Sequence, residues 1–406
     1  MAKKVLEGIR ILEWSMLQQG PAAGVILADL GAEVIKIETP GTGDNARYIK
    51  VSRSLEKEIA DGNTFYFDGM NRNKKAITLN LKSDEGKKIL YKLVEKADVF
   101  LTNFRPGIPE KMKVDYETLK KINPQLIYAQ ASGLGVHGPE AAKATADLTG
   151  VARSGFMNAI GFEGDPPGYI AFGIGDQIGA IFTAFGVVSA LLARERYEIG
   201  QRIDVNLVNS ILNLNNGNMV YYAWSKKTNP RFNQKASVEP QNNYYQCKDG
   251  KWIMLGQYMP TGIKDFFRIV GRHPEIANND KYNTMAGVKE DGPYMTKLVQ
   301  EILLERDREE WLELFDKNGF AAGKVSTYED VFSDPQLHAN NCFVEYTYEP
   351  TGQKILYPNL PIQLSETPAS IERCSPRLGQ HNEEVLASLC GLSTEDMADL
   401  KARGVI

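Results

Sequence analysis

Four residues, Gly173-Ile174-Gly175-Asp176, place a carboxylate directly before an apolar run over residues 178–192. The run has the composition of a helix, so this order predicts Asp176 at a helix N-terminus. Backbone N–H groups and the helix dipole favour the ionised form of a carboxylate there. An ionised, partly sheltered carboxylate can attack an activated acyl carbon. Most aspartates at this position only cap a helix, so the choice between the two roles depends on other residues.

Other polar side chains could serve the same site. Gln18 and Gln19 lie between an apolar segment and Gly20-Pro21, where a side-chain amide could donate to a carbonyl or carboxylate oxygen. Several cations fall at or near the ends of predicted strands, namely Lys74, Lys75, Lys82, Arg105 and Lys111. These cations form either a solvated face or a cradle for the phosphates of a nucleotide-bearing cofactor.

A glycine motif, Gly133-Leu-Gly135-Val-His-Gly138, matches the spacing of a dinucleotide-binding turn. Pro139 follows at once, no apolar-periodic helix comes next, and no strand ends in an acid at the required distance. The glycines therefore predict a tight loop rather than a nicotinamide site. His137 lies in this loop without an obvious acid to orient it, which disfavours it as a general base.

Composition limits the classes of protein. The chain has 406 residues, of which 43% are hydrophobic and 24% charged, as expected for a soluble protein with a large core. A net charge of −4 argues against nucleic-acid binding. The four cysteines and four histidines lack metal-site spacing, so we expect no metal and reduced thiols in the cytoplasm. The apolar run at 178–192 is too short and glycine-rich to span a membrane, and we expect no membrane partner.

The first half of the chain alternates strand and helix patterns. The predicted strands cover residues 9–14, 33–37, 75–81, 98–101, 126–131 and 203–207. Repeated β-α-β units predict a Rossmann-like, doubly wound α/β domain with a parallel sheet. Ligands of such sheets bind beyond the carboxyl ends of the strands. The polar residues at those ends are Gln18, Glu38, Asn103, Arg105 and Ser132.

A polar, proline-containing stretch over residues 225–240 predicts a change of domain. A hairpin at Asp249-Gly250 and helices over 263–270 and 294–317 then predict a smaller α+β domain. The expected organisation is a large domain over 1–224, a small domain over 225–325 and a return to the large domain over 326–406. Ser393 and Asp396 predict a capping box on a C-terminal helix.

Several motifs in a fixed order extend over the whole chain. They are Gly20-Pro-Ala-Ala-Gly24, residues 27–38 with Gly43-Asp44, residues 71–77, residues 103–107, residues 173–176 and residues 378–386. Together they resemble the class III CoA-transferases, a family that includes formyl-CoA and carnitine CoA-transferases and α-methylacyl-CoA racemase.

The resemblance implies an open-ring protomer of two domains in an interlocked homodimer. It implies that Asp176 becomes acylated and that Gln18 holds the intermediate. Coenzyme A, carried as acyl-CoA, is then a substrate rather than a resident cofactor. The residues that the resemblance and the loop positions assign to CoA binding are Gln19, Leu79, Asn103, Phe104, Arg105 and Lys111.

Two departures bear on the reaction. Ala146 precedes Asp147 where the racemase branch has a histidine, which favours transfer because racemisation needs an acid and a base. Residues 236–244 lack the glycine flap of the formyl-CoA enzyme. The expected reaction moves CoA from an acyl-CoA to a carboxylic acid through an aspartyl anhydride and an aspartyl-CoA thioester.

Within this family, the branch that the chain most resembles exchanges CoA between a 2-hydroxy acid and an enoate in amino-acid fermentation, and the resemblance implies the same reaction here. Candidate walls of the acyl pocket are Trp14, Phe172, Tyr222 and Tyr258. A racemase-like enzyme and a non-catalytic CoA-binding protein remain the alternatives.

Overall fold

The computed structural model describes residues 3–52, 55–56, 59, 63–168, 170 and 173–406. The described residues group into two compact units. The first unit comprises Met1–Met157, Ile170–Lys227 and Asn340–Ile406, and the second comprises Asn158–Tyr169 and Thr228–Ala339.

The first unit is built on a six-stranded sheet. Its strands are β1 (Arg10–Trp14), β2 (Glu33–Glu38), β5 (Lys75–Thr78), β6 (Val99–Thr102), β7 (Ile127–Ser132) and β8 (Arg202–Asn206), while β3 (Val51–Ser52) and β4 (Leu55–Glu56) pair only with each other. The order is β5-β2-β1-β6-β7-β8, and every neighbouring pair is parallel. The α/β fold with a parallel sheet is therefore confirmed.

The order of the strands creates a switch point. From central β1 the chain first adds β2 and β5 on one side and then returns to add β6, β7 and β8 on the other. The loops after β1 and β6 consequently leave the sheet in opposite directions and open a crevice between them. Ligands of doubly wound sheets bind in such a crevice.

Helices cover both faces of this sheet. The α-helices up to residue 225 are α1 (Gln19–Asp29), α2 (Phe65–Asn71), α3 (Asp84–Val94), α4 (Ile108–Met112), α5 (Tyr116–Leu119), α6 (Asp147–Arg153), α7 (Phe156–Ala159), α8 (Ile174–Tyr197), α9 (Leu207–Leu214) and α10 (Asn216–Ser225), not all of which pack on the sheet. Alternate strand residues enter opposite cores, with Leu12 and Ile35 on the side of α3 and Ile11 and Val34 on the side of α1 and α8. Because both faces are buried, most of the buried residues of the central strands are apolar, with Glu13 and Lys36 among the exceptions.

Helix α8 is longer than the sequence suggested. It has 24 residues, so the expected length of this segment was wrong, and by length and composition alone the helix could cross a membrane. In the structure one face of α8 packs on α1, β7 and β8. Its other face exposes Ile181, Phe185 and Leu192.

The second unit contains a three-stranded antiparallel sheet and six α-helices among its described residues. They are β9 (Asn242–Gln246), β10 (Trp252–Gly256), β11 (Ala322–Lys324), α11 (Gly262–Val270), α12 (Pro274–Ala277), α13 (Met285–Leu303), α14 (Arg308–Lys317), α15 (Tyr328–Ser333) and α16 (Pro335–Ala339). The predicted hairpin is present, since β9 and β10 pair in antiparallel register. The prediction of a single helix over 294–317 was wrong. The first helix, α13, ends at Leu303, and a capping box of Asp307 and Glu310 starts α14 as a separate helix.

The chain then completes the first unit. It adds the hairpin of β12 (Phe343–Tyr348) and β13 (Gln353–Pro358) and the helices α17 (Asn382–Cys390) and α18 (Thr394–Ala402). Ser393 caps α18 with Asp396, as predicted. Residues at the start of α17 close the outer edge of the sheet: the ring of His381 accepts the N–H of Ala76 at 3.1 Å, and Asn382 accepts that of Thr78 at 2.8 Å.

Candidate active site

Asp176 lies in the first turn of α8, where its side chain is partly exposed. The helix starts after Gly173, whose φ of +69° is left-handed and favours glycine. A Cβ on Gly173 would come within 2.2 Å of Gln18 Oε1. Glycine at this position therefore lets the start of α8 approach the loop that carries Gln18.

A second carboxylate, that of Asp147, supports Asp176. Asp147 Oδ1 accepts the backbone N–H of Asp176 at 2.9 Å. Its other oxygen, Oδ2, is buried and has no hydrogen-bond partner among the described residues. This contact could not be predicted from the sequence, because the two residues are 29 positions apart. The segment around Asp147 had suggested only a missing histidine.

Burial raises the pKa of Asp176 to about 7, and the charge of Asp147 adds to this effect. The direction is opposite to the one expected from the helix N-terminus. Within the described part of the chain, the Asp176 carboxylate accepts no hydrogen bond that would offset the loss of solvent. Both the neutral and the ionised form are consequently present near neutral pH.

Gln18 joins three elements of the site. Its side chain is buried at the start of α1, and its Oε1 accepts the hydroxyl of Tyr66 in α2 at 3.0 Å. Its Nε2 donates to the carbonyl of Gly173 at 3.3 Å. Tyr66 was not predicted as a site residue. Burial, followed by the charge of Asp176, raises the pKa of Tyr66, so its hydroxyl stays protonated and remains a donor.

This geometry can be compared with known proteins. A family model described as CoA-transferase family III matches residues 6–382. The chain belongs to this family. It is therefore an enzyme of the class III CoA-transferase type, a class that uses acyl-CoA as a substrate.

Known relatives and solved structures are similar to this chain over almost its whole length. A succinyl-CoA–D-citramalate CoA-transferase from Chloroflexus aurantiacus is 33% identical and covers 99% of this chain and 98% of its own. An (R)-2-hydroxy-4-methylpentanoate CoA-transferase from Clostridioides difficile is 32% identical over 99% of each chain. A crystal structure of a CAIB/BAIF family protein from Brucella suis superposes with a TM-score of 0.83 at 28% identity, covering 95% of this chain and 100% of that one.

Three predicted CoA-site residues of this transferase lie at the switch point of the sheet. Asn103 accepts the N–H of Met16 at 3.0 Å and donates to its carbonyl at 2.8 Å, so it holds the loop after β1. Phe104 stacks on Trp14 with ring centroids 4.1 Å apart. Gln19 is buried, and its Nε2 has no partner in the described structure.

The predicted cations of the transferase separate into two groups. Arg105, Lys111 and Lys82 are exposed. Lys74 is fully buried with its Nζ 2.6 Å from Glu13, and Lys75 Nζ lies 2.7 Å from Glu33 and from Glu384. Because these two lysines are already paired with carboxylates, the structure favours neither of them as a phosphate contact.

The remaining predicted residues are dispersed. Leu79 is 1% exposed within the hydrophobic core, which leaves its backbone as the part that could meet a ligand. Trp14 is buried in the stack with Phe104, Tyr222 is exposed on α10, and Tyr258 is exposed in the second unit. Phe172 lies outside the described residues.

The glycine motif forms a loop, as predicted. Gly135 and Gly138 have φ values of +96° and +94°, and His137 between them is exposed. The next helix, α6, begins only at Asp147. A dinucleotide-binding turn would need a helix directly after the glycines.

Proposed function

We propose that the protein transfers CoA from an acyl-CoA to a free carboxylic acid through covalent intermediates on Asp176. The observation that carries the proposal is a partly exposed carboxylate at the start of α8, raised in pKa to about 7 and adjoining the Gln18 loop. A carboxylate of raised pKa is a better nucleophile than an ordinary one once it is ionised. Such a group needs no histidine to activate it.

The proposed reaction has four steps. An Asp176 oxygen attacks the donor thioester carbonyl, forming a mixed anhydride and releasing CoA thiolate. The thiolate attacks the aspartyl carbonyl, forming an aspartyl-CoA thioester and releasing the donor carboxylate. The acceptor carboxylate attacks that thioester, giving a second anhydride and free thiolate, and the thiolate then attacks the acceptor acyl carbon. Asp176 is regenerated, and no net proton transfer is needed.

Gln18 is proposed to stabilise the carbonyl oxygen of the acylated aspartate. Its Nε2 donates to Gly173 over 3.3 Å, which is long for this type of bond, so the amide can exchange that partner at little cost. The Tyr66 hydroxyl fixes the other end of the amide and thereby its orientation. A donor fixed in this way lowers the energy of a developing oxyanion.

CoA binding is proposed at the switch point. Asn103 and Phe104 follow β6 there, with Gln19 and the backbone of Leu79 as further candidates. Arg105 and Lys111 are proposed to contact the phosphates, because both are exposed and neither forms an ion pair in the described structure. Cation–phosphate hydrogen bonds are among the stronger ones available to a protein.

The acceptor is proposed to be a small 2-hydroxy acid, exchanged against an enoyl-CoA as in amino-acid fermentation. The named substrate of the Clostridioides difficile relative, (R)-2-hydroxy-4-methylpentanoate, belongs to that class and supports the choice. Succinyl-CoA, named for the Chloroflexus relative, is a second donor to include in tests.

The working form is proposed to be an interlocked homodimer of open-ring protomers, with domains at 1–224, 225–325 and 326–406. The exposed apolar side chains of Phe185 and Trp224 in the first unit support an association surface. A cytoplasmic location is proposed as well, since Cys247, Cys342, Cys374 and Cys390 are all free thiols.

The test is covalent trapping. The protein is incubated with a panel of acyl-CoAs, analysed by intact mass and treated with hydroxylamine to mark an activated Asp176. We expect an adduct on Asp176 in the native protein and none in Asp176→Asn. Exchange of the α-proton in heavy water without CoA transfer would instead indicate a racemase-like enzyme. CoA binding without either reaction would indicate a non-catalytic CoA-binding protein.

A further inference from the structure

Four buried charged side chains lie next to the loop that carries Gln18. We call them the buried charge cluster: Glu13, Lys36, Asp44 and Lys74. Lys36 Nζ is 2.9 Å from Asp44 Oδ2 and 3.1 Å from Glu13 Oε1. Lys74 Nζ is 2.6 Å from Glu13 Oε2. The side chains of all four are at most 2% exposed. The sheet register sets Glu13 of β1 beside Lys36 of β2.

A buried charge cluster is a poor source of stability. Removing charges from water costs several kcal/mol per ion, and replacing buried ion pairs by apolar residues is often neutral or stabilising. Burial disfavours the charged form of Lys36, but Asp44 and Glu13 outweigh it and raise the pKa of Lys36. Lys36 therefore stays charged at working pH, and its retention in the core calls for a role other than packing.

The cluster contacts the backbone of the loop after β1 at two points. Lys36 Nζ donates to the carbonyl of Ser15 at 3.1 Å. Asp44 Oδ1 accepts the N–H of Leu17 at 3.0 Å. Between them, Asn103 binds both the N–H and the carbonyl of Met16. Each residue from 15 to 17 is therefore held by at least one side-chain contact.

The residue next to Gln18 has an unusual backbone. Leu17 has φ of +63°, a left-handed value that costs energy for any residue with a Cβ. Such a conformation persists only where the surroundings impose it. The hydrogen bond from Leu17 N–H to Asp44 supplies that constraint. The left-handed turn determines the direction in which the chain delivers the next side chain, that of Gln18.

We propose that Lys36 and Asp44 are positioning residues, which hold Leu17 in its left-handed turn and thereby aim the Gln18 amide at the start of α8. This inference rests on the proposed role of Gln18 and Asp176 in CoA transfer. Neither Lys36 nor Asp44 touches a substrate in this account. They act through the backbone of residues 15–17.

The first experiment compares two carboxylates that bind the same kinds of partner, one buried and one partly exposed. Asp44→Asn keeps an oxygen for Leu17 N–H but places an amide donor against Lys36. Asp98→Asn is the control, because Asp98 likewise binds a backbone N–H, that of Arg10 at 2.7 Å, and a cation, Arg194 at 2.8 Å. Asp98 lies just before β6, at the amino ends of the strands, whereas Gln18 follows β1 at their carboxyl ends.

We expect Asp44→Asn to lower kcat about tenfold or more, because a displacement of about 1 Å in a site can cost roughly 100-fold. Its affinity for CoA should stay near the native value. Asp98→Asn should also have a lower melting temperature than the native protein, but its kcat should stay at the native value. Equal kcat in the two variants would overturn the inference.

A second series remains informative if Asp44→Asn does not fold. Leu17 is 38% exposed, so it tolerates substitution. Leu17→Asn should retain kcat, since asparagine accepts the left-handed conformation, whereas β-branched Leu17→Val should lose it. Equal kcat for Asn and Val would contradict the positioning role.

Acylation of Asp176, followed by intact mass, separates this inference from the proposed function. If the native protein forms no adduct with any acyl-CoA of the panel, the proposed function fails and the positioning inference fails with it. If the native protein forms the adduct and Asp44→Asn forms it at the native rate, only the positioning inference fails.

Discussion

Asp147 affects Asp176 in two opposite ways. Its Oδ1 accepts the N–H of Asp176 and so fixes the backbone of the proposed nucleophile, while its negative charge opposes ionisation of the Asp176 side chain. Burial is the larger cause of the raised pKa. Asp147 therefore fixes the backbone position of Asp176 and adds to the effect of burial on its basicity.

The pair predicts a pH profile for catalysis. In the proposed mechanism only ionised Asp176 attacks, so kcat/KM should rise about tenfold per pH unit at low pH and level off above about 7. Asp147→Asn keeps an acceptor for the Asp176 N–H and removes the charge, so the acid limb should move to lower pH. The measurement is kcat/KM from pH 5 to 9 for both proteins. An unmoved limb would show that the charge of Asp147 has no effect on Asp176.

The same pKa predicts how stability varies with pH. The pKa of Asp176 is raised from 3.8 in the unfolded chain to about 7 in the folded one, so the unfolded chain loses its proton first. Ionisation therefore lowers the free energy of unfolding as pH rises between these values. Asp176→Asn removes this penalty, and its stabilising effect should be about 2 kcal/mol greater at pH 8 than at pH 5. Urea unfolding at the two pH values measures this. If Asp176→Asn increased the free energy of unfolding equally at both pH values, the pKa of Asp176 would not be raised.

At the scale of elements, the start of α8 depends on a glycine. Gly173→Ala adds a methyl group within 2.2 Å of Gln18 Oε1 at a left-handed φ of +69°. The control is Gly391→Ala, which has nearly the same φ of +66° at the end of α17 with nothing within 4 Å of the added Cβ. Backbone strain should lower the free energy of unfolding of both variants by about 1–2 kcal/mol. Only Gly173→Ala should also lose kcat, measured at saturating substrates, and equal kcat would separate Gly173 from the site.

The loop after β6 gives a prediction about binding. Arg105→Ala and Lys111→Ala should each raise KM for acyl-CoA by about tenfold and leave kcat unchanged, with the larger effect at low salt. Lys401→Ala, an exposed lysine on α18, is the control. Steady-state kinetics at two salt concentrations tests this. Lower kcat with native KM would remove both residues from phosphate binding.

The elements were more predictable from the sequence than the contacts between them. The buried positions of strands β1, β2, β6 and β7 are mostly apolar because both faces of the sheet are covered, so their pattern and parallel order could be predicted. The Asp176 position followed from local glycine and helix signals. The contacts of Asp147 and Tyr66 could not be predicted, because they join residues far apart in sequence through the fold. The burial of Lys74 was missed for the same reason, since its partner Glu13 lies on another strand.

At the scale of the whole molecule, the proposed interlocked dimer predicts how it unfolds. Separation of threaded protomers requires unfolding, so the melting temperature should rise with protein concentration, and loss of dimer should coincide with loss of secondary structure. Sedimentation velocity and circular dichroism across a concentration series measure both. A folded monomer at nanomolar concentration would contradict the arrangement.

The closure of β5 by the start of α17 also affects how the protein is made. The ring of His381 binds Ala76 across 305 positions of the chain, so a ribosome must synthesise the whole second unit before the outer strand of the sheet receives its cover. During that interval β5 presents unpaired backbone groups, which can pair with other nascent chains. We therefore expect the edge of β5 to remain open to pairing with other chains until translation has passed residue 382.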